Sequence, residues 1–216
     1  MKDIKWLNHL IELVIVILGI SIAFSINKYA ESRKELKREV IFLESFLDEI
    51  NEDIPELDST IIKIDHFKQS LEKLIAVIEG ENQHIDSLKK YIGSGLYSIY
   101  MQGPNTTTFE SLQSSGNLDI IQNFELRKEI VNYNRLIESL DFIQEWDFKH
   151  HNEESLQYLP HFINASNQDL LNDSKLHALA GIRLFLLETS ISKYTVVREK
   201  GMELKTLIEQ EIERFH

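Results

Sequence analysis

The sequence predicts an all-α chain in which an N-terminal transmembrane helix runs into a bundle of long amphipathic helices. Three observations lead there. Only 8 Gly and 3 Pro occur in 216 residues, too few turn residues for the many tight turns of a β-sandwich or barrel. An apolar run of membrane-spanning length stands near the N-terminus. Beyond it, apolar residues recur at intervals of three and four over most of the chain. The 43% hydrophobic and 27% charged residues exclude a disordered polymer. The absence of cysteine excludes disulfides, Fe–S clusters, thiolate zinc sites and a Cys nucleophile.

The first element is the run WLNHLIELVIVILGISIAFSI, residues 6–26. At 1.5 Å per residue it measures roughly 30 Å, the thickness of a bilayer core. Leu13 to Asn27 contains no charge. A cleaved signal peptide is one competing reading, because Lys2 and Lys5 form a basic start and Ala23-Phe24-Ser25 is a weak small-x-small site. A buried core helix is another. The helical periodicity runs on past any cleavage site, which favours the anchor. Residues 1–30 are therefore assigned to the anchor and residues 31–216 to the helical bundle.

Within the span, Glu12, Gly19, Ala23 and Ala30 fall within about 40° of one helix face. Gly19-x-x-x-Ala23 is a small-x-x-x-small pair, which lets helix backbones approach closely. An ionisable group at the depth of Glu12 is a functional candidate. Two readings stand: Glu12 reaches the interface beside Asn8 and His9, or it lines a polar seam between packed spans. The basic residues Lys28, Arg33, Lys34, Lys37 and Arg38 follow the span and suit anionic headgroups. Residues 1–38 carry seven Lys/Arg and four Asp/Glu, so the rest of the chain carries −15 of the total −12. That acidic domain repels phosphate backbones, and no nucleic-acid partner is expected. Two Lys/Arg before the span and five after it favour a cytoplasmic C-terminal domain.

The next element is a heptad-like stripe of Val40, Leu43, Leu47, Ile50, Ile54, Leu57, Ile61 and Ile64, continuing at Leu71, Ile75 and Ile78. It reads as a bundle core face or an exposed coiled coil. Pro55 implies a kink there or a new helix capped by Asp53. Gly80 ends the segment. Residues 84–101 read as a shorter helix broken or bent near Gly93-Ser94-Gly95. Thr107-Thr108-Phe109-Glu110 has the form of a capping box, and Gly116 supplies a positive φ after the short helix. This stretch, residues 105–118, reads as a joint between helices or as a binding loop. A long helix from about Asn123 to about Gln157 buries Leu126, Ile130, Tyr133, Ile137 and Leu140. Pro160 lies past its end, residues 161–173 form a polar loop, and Asp173 and Ser174 cap a last helix. That helix carries Leu184, Leu187, Ile191, Tyr194, Val197, Leu204, Ile208 and Phe215. Phe42, Phe46, Phe67, Tyr97, Phe142 and Trp146 are expected in the core.

Asp147, His150, His151, Glu153 and Glu154 form the densest polar cluster. A bundle metal site needs matching ligands from a second helix, and nothing at repeated spacing supplies them. A hydrated helix face is expected there, with no metal and no cofactor. No glycine-rich phosphate loop and no Gly-x-Ser-x-Gly elbow occurs, so the reading is not an enzyme.

Residues 10–54, LIELVIVILGISIAFSINKYAESRKELKREVIFLESFLDEINEDI, resemble the start of an uncharacterised family of bacterial membrane-anchored proteins, a domain of unknown function. Members carry a Glu near the start of the span, a Gly midway and an Asn at its end, as Glu12, Gly19 and Asn27 do here. Residues 107–133, TTFESLQSSGNLDIIQNFELRKEIVNY, resemble the family's second block, at Phe109, Glu110, Ser115, Gly116, Leu118, Glu125, Leu126 and Arg127. The N-terminal tail is shorter than in those relatives. The resemblance implies a single-pass inner-membrane helical protein and supplies no activity; it pulls against the cytoplasmic placement, and the side stays open.

The expected function is a membrane-anchored interaction or scaffold module, with the bilayer and either further copies of itself or a membrane-associated protein as partners. The alternative is an oligomeric pore or gated effector with a helical sensor domain.

Overall fold

The structure is a computed structural model that describes residues 4–80 and 84–215. The side chains of Ile4, Lys5, Leu7 and Asn8 lie outside that description, as does Lys2, so the basic start of the sequence and the Asn8 contact fall outside it. Among the described residues every regular element is helical.

Helix α1, Ile4–Ile78, is a single element of 75 residues. Every described side chain from Trp6 to Glu35 is exposed. The first buried side chain is Glu39, and from there Leu43, Phe46, Ile50, Asp53, Leu57, Thr60, Ile64 and Leu71 are buried in turn. The expected row Leu43, Ile50, Leu57, Ile64 and Leu71 is buried, but its companion row is displaced by one position: Leu47, Ile54 and Ile61 are only partly buried. The reason is chemical. The row Glu39, Phe46, Asp53, Thr60 faces the interior although three of its four members are polar. Thr60 satisfies its hydroxyl on the Glu56 carbonyl, and the two acids take backbone N–H groups from elsewhere. An apolar periodicity cannot register such residues. Pro55 neither ends nor restarts the helix. It lies inside α1 on the exposed side, where water can take the carbonyl that its missing N–H leaves free.

Gly80, at φ 78, closes α1. The chain then turns back through a short 3₁₀ turn into α2, Leu88–Leu96. The glycines of α2 do not break it. Gly95 lets α2 lie against α1: a Cβ there would stand 2.8 Å from Leu71 Cγ and Cδ2. From α2 an irregular strand of chain descends along α1 to α3, Thr107–Ser114. Helix α4, Phe124–His150, rises again. It passes through a π turn, His151–Ser155, directly into α5, Leu156–Asn164, with Pro160 inside. Helical structure thus runs beyond the expected end at Pro160. Residues expected as loop form α6, Asn167–Leu171, closed by a capping box between Ser166 and Asp169. Helix α7, Ser174–Glu213, starts at an Asp173 cap and descends the full height of the bundle.

The result is an up-down-up-down bundle. Its columns are α1, the α2–loop–α3 segment, α4 and α7. Helix α7 packs against both α1 and α4. The core runs through Leu126, Ile130, Tyr133, Ile137 and Leu140 of α4 and Leu187, Tyr194, Val197, Leu204 and Ile208 of α7. Gly201 leaves room for the Tyr133 ring, whose hydroxyl would lie 3.3 Å from a Cβ. Phe46 and Phe67 join this core as expected, but Phe142 and Trp146 stand exposed, ring against ring at 5.9 Å.

Candidate functional site

The first candidate is the bare half of α1. It holds an 18-residue window of mean hydropathy 2.4, none of it buried. It is long and apolar enough to cross a membrane. Glu12 stands exposed with its Oε2 3.3 Å from His9 Nδ1. A Cβ at Gly19 would meet nothing within 4 Å, so the bundle itself places no demand on that glycine. Ala23 is exposed as well. Lys28, Arg33, Lys34, Lys37 and Arg38 all project into solvent between the apolar stretch and the first buried residue. Arg33 is held by Tyr29, donating from Nε to the hydroxyl at 3.0 Å with its guanidinium over the ring.

The second candidate is the stretch around Thr107. Its order comes from a ladder of acids on α1. Glu49 accepts from the Thr108 backbone N–H at 2.9 Å and from its hydroxyl at 2.7 Å. Asp53 accepts from the Asn105 N–H with both oxygens, at 3.0 and 3.1 Å. Glu56 accepts from the Gln102 amide. At the foot of the column Glu39 accepts from the Gln122 N–H at 2.8 Å. The expected capping box is replaced. Thr107 is the first helical residue, its N–H is taken by Asn105 Oδ1 at 2.9 Å, and Glu110 accepts instead from the Thr106 hydroxyl. Glu49 supplies the negative charge that the N-terminus of α3 favours. Phe109 is buried, and Gly116 takes φ 68 as its turn requires. The stretch is thus a joint tied down on all sides rather than a free loop. Nothing in the sequence marks Glu49, Asp53 and Glu56 among the 35 acids; only their spacing of four and three on one face of a helix could have done so.

Burial holds the Asp53 carboxyl up at about 6, against the pull of the Asn105 N–H and with help from Glu49, Glu56 and Glu52 nearby. Burial likewise raises Glu39.

The third candidate lies where α4 enters the π turn. The cluster expected as a hydrated face is partly interior. Asp147 is buried and pairs with Arg183 of α7, which is 0% exposed. Arg183 also donates from Nη2 to the Ser98 carbonyl at 2.8 Å. Burial lowers the Arg183 guanidinium to about 10. The π turn rotates His151 inward, where it meets the Leu96 carbonyl, and burial lowers both His150 and His151. Glu153 and Glu154 remain outside. Among the described residues no group of three or more His, Asp or Glu could hold a metal ion. Arg183 ties α7, α4 and the descending segment together; the sequence analysis did not single it out, since one Arg in an amphipathic helix carries no signal of burial.

These three regions have different characters. The acid ladder and the Arg183 pair are consumed by the fold. The apolar stretch of α1, its basic collar and the outer faces of the bundle remain exposed. No curated protein and no solved structure matches the chain. The family of unknown function DUF6090 matches over residues 12–190, a range that covers the second block of resemblance and all but the first two residues of the first, and the chain belongs to that family.

Proposed function

We propose that the chain is a single-pass inner-membrane protein whose bundle is an interaction module that associates with copies of itself beside the bilayer. The observation that carries this reading is the continuity of α1. One unbroken helix contributes both a bare apolar stretch of spanning length and the first column of the bundle. A bundle on a continuous helical stem has its height and tilt fixed by the membrane, which suits repeated lateral contacts.

Further support comes from the outward side of α1. Unrolled at 100° per residue, Ile41, Glu44, Asp48 and Glu52 fall within about 40° of the line through Glu12, Gly19 and Ala23. They point away from the bundle core, so one face of α1 is left unpartnered from end to end. The basic collar from Lys28 to Arg38 supports a stem that leaves the bilayer through anionic headgroups.

The test is extraction and capture. The chain is expected to stay in the membrane through an alkaline carbonate wash and to be released when Ile15 and Leu18 are both changed to Lys. Two differently tagged copies are expected to be recovered together in mild detergent. A chain that washes off, or that never retains its second tag, contradicts the reading.

A further inference from the structure

The outward faces of α1 and α4 complement each other at equal height. The two helices rise in the same direction with a fixed register. At the foot, Gln122 donates to Glu39 across 83 residues. Near the top, Ile64 and Asp147, again 83 apart, line the same small cavity. Adding 83 to a position on α1 therefore gives the residue at the same level on α4.

On its outward side α1 presents Ile41, Glu44, Asp48, Glu52 and Ile62, all exposed. At the levels of Ile41, Glu44 and Glu52, α4 presents Phe124, Arg127 and Arg135. Glu44 and Glu52 are about 12 Å apart along the helix, and so are Arg127 and Arg135. Ile41 is 59% and Phe124 62% exposed. At the level of Ile62, α4 exposes Glu145, flanked by exposed Phe142 and Trp146. Each face thus has an apolar residue at its foot and a charged stretch above it, acidic on α1 and basic on α4, with apolar side chains near the top, where α4 also carries Glu145. Phe124, Arg127, Val131 and Arg135 line a groove of about 650 Å³, with Lys128 beside them and Asp119 the one carboxylate on its wall. Glu138 also stands on this face, at the level of uncharged Pro55. Arg127 stacks on Phe124 and donates to the Ile121 carbonyl, and Lys128 reaches only Glu125 at 3.9 Å. Among the described residues, Arg127, Arg135, Glu44, Asp48 and Glu52 enter no ion pair.

We propose that a second copy of this chain docks the outward face of its α1, from Ile41 to Ile62, onto the outward face of α4, from Phe124 to Trp146. The proposal rests on the self-association reading above. An anchor holds every copy at one height and one orientation, so only surfaces that match at equal level and run parallel can meet. Packing α1 against α1 would instead set Glu44, Asp48 and Glu52 of two copies face to face, which like charges oppose. The contact joins two different surfaces, so it propagates head to tail and closes into a ring or extends as a row in the membrane plane. The spans then stand about a bundle's width apart.

The cysteine-free chain makes the test direct. One tagged copy carries Ile41→Cys, another carries Phe124→Cys, and both are co-expressed and oxidised in isolated membranes. A mixed disulfide between the two tags is expected, with little 41–41 product. In the cysteine pair, Glu44→Lys with Glu52→Lys in the first copy is expected to lower the mixed product about tenfold, as is Arg127→Glu with Arg135→Glu in the second. Both reversals together are expected to restore it. Glu44, Glu52 and Arg135 are exposed and Arg127 is half-buried, so the melting temperature of each variant is measured as the check that it folds. Disulfides at 41–41, or at 23–23 in Ala23→Cys, without a 41–124 product would overturn the docking while leaving self-association intact. A chain that forms no intermolecular product and has the mass of one copy overturns both.

Discussion

At the scale of single residues, the bundle depends on polar groups in the interior. Arg183 and Asp147 are both buried, and removing one strands the other. Arg183→Met is expected to destabilise by about 3–5 kcal/mol, and adding Asp147→Leu to recover most of that loss. Urea melts of the single and double variants measure it; equal losses in both would contradict the pairing. Asp53 gives a pH signature. Its carboxyl binds a proton in the folded state up to about 6, whereas in the unfolded chain it does so only near 3.8. Its contribution is therefore full below about 4 and lost as pH rises through 6. Asp53→Asn is expected to gain stability relative to the wild type at pH 8, to keep about half of that advantage at pH 5 and to lose it below pH 4. An advantage equal at all three would contradict the burial argument. His150 and His151 act in the opposite sense. Their lowered values mean that the unfolded chain takes up protons first, so their contribution fades as pH falls below about 6.5. None of these roles could be read from the sequence. Buried acids and a buried arginine have the same local pattern as solvated ones, and only the distant partner chain segment distinguishes them.

At the scale of elements, periodicity carried most of the information and polar satisfaction the rest. The apolar rows of α4 and α7 were legible because their core faces are mostly apolar, Leu126 to Leu140 and Leu187 to Ile208, interrupted only by residues such as Asn134 and Ser190 that satisfy themselves on their own helix. On α1 the row Leu43, Ile50, Leu57, Ile64 was legible and its companion row was displaced, because Glu39, Asp53 and Thr60 occupy core positions. Gly93 and Gly95 suggested a break, since a glycine lowers helix propensity whatever its purpose. The purpose of Gly95 is proximity. Gly95→Val is expected to push α2 from Leu71 and destabilise by about 1–3 kcal/mol, while Gly93→Ala, with nothing within 4 Å of its Cβ, is expected to stabilise. Thermal melts that rank the two alike would contradict this assignment. Pro160 and the π turn show the same limit: tertiary packing of Tyr158 and Phe162 keeps the chain helical where local preference would end it.

At the scale of the whole molecule, the sequence and the structure agree on an apolar stem continuous with an all-α bundle. What the sequence could not supply was the relative height of its surfaces, because that depends on the register between α1 and α4. The small-residue pair Gly19/Ala23, the acids of the outer face of α1 and the arginines of α4 are separate patterns in the sequence. Only in the folded bundle do they become one face and its complement. The apolar stretch around Gly19 is wholly exposed and a Cβ there would meet nothing within 4 Å, so changing Gly19 to Leu is expected to leave the melting temperature unaltered, as a thermal scan of the extracted protein would record. The most direct measurement is the mass of the full chain extracted in mild detergent, corrected for bound detergent. A mass of several copies of the 25.3 kDa chain is the expected result. A single copy at every concentration would contradict the account.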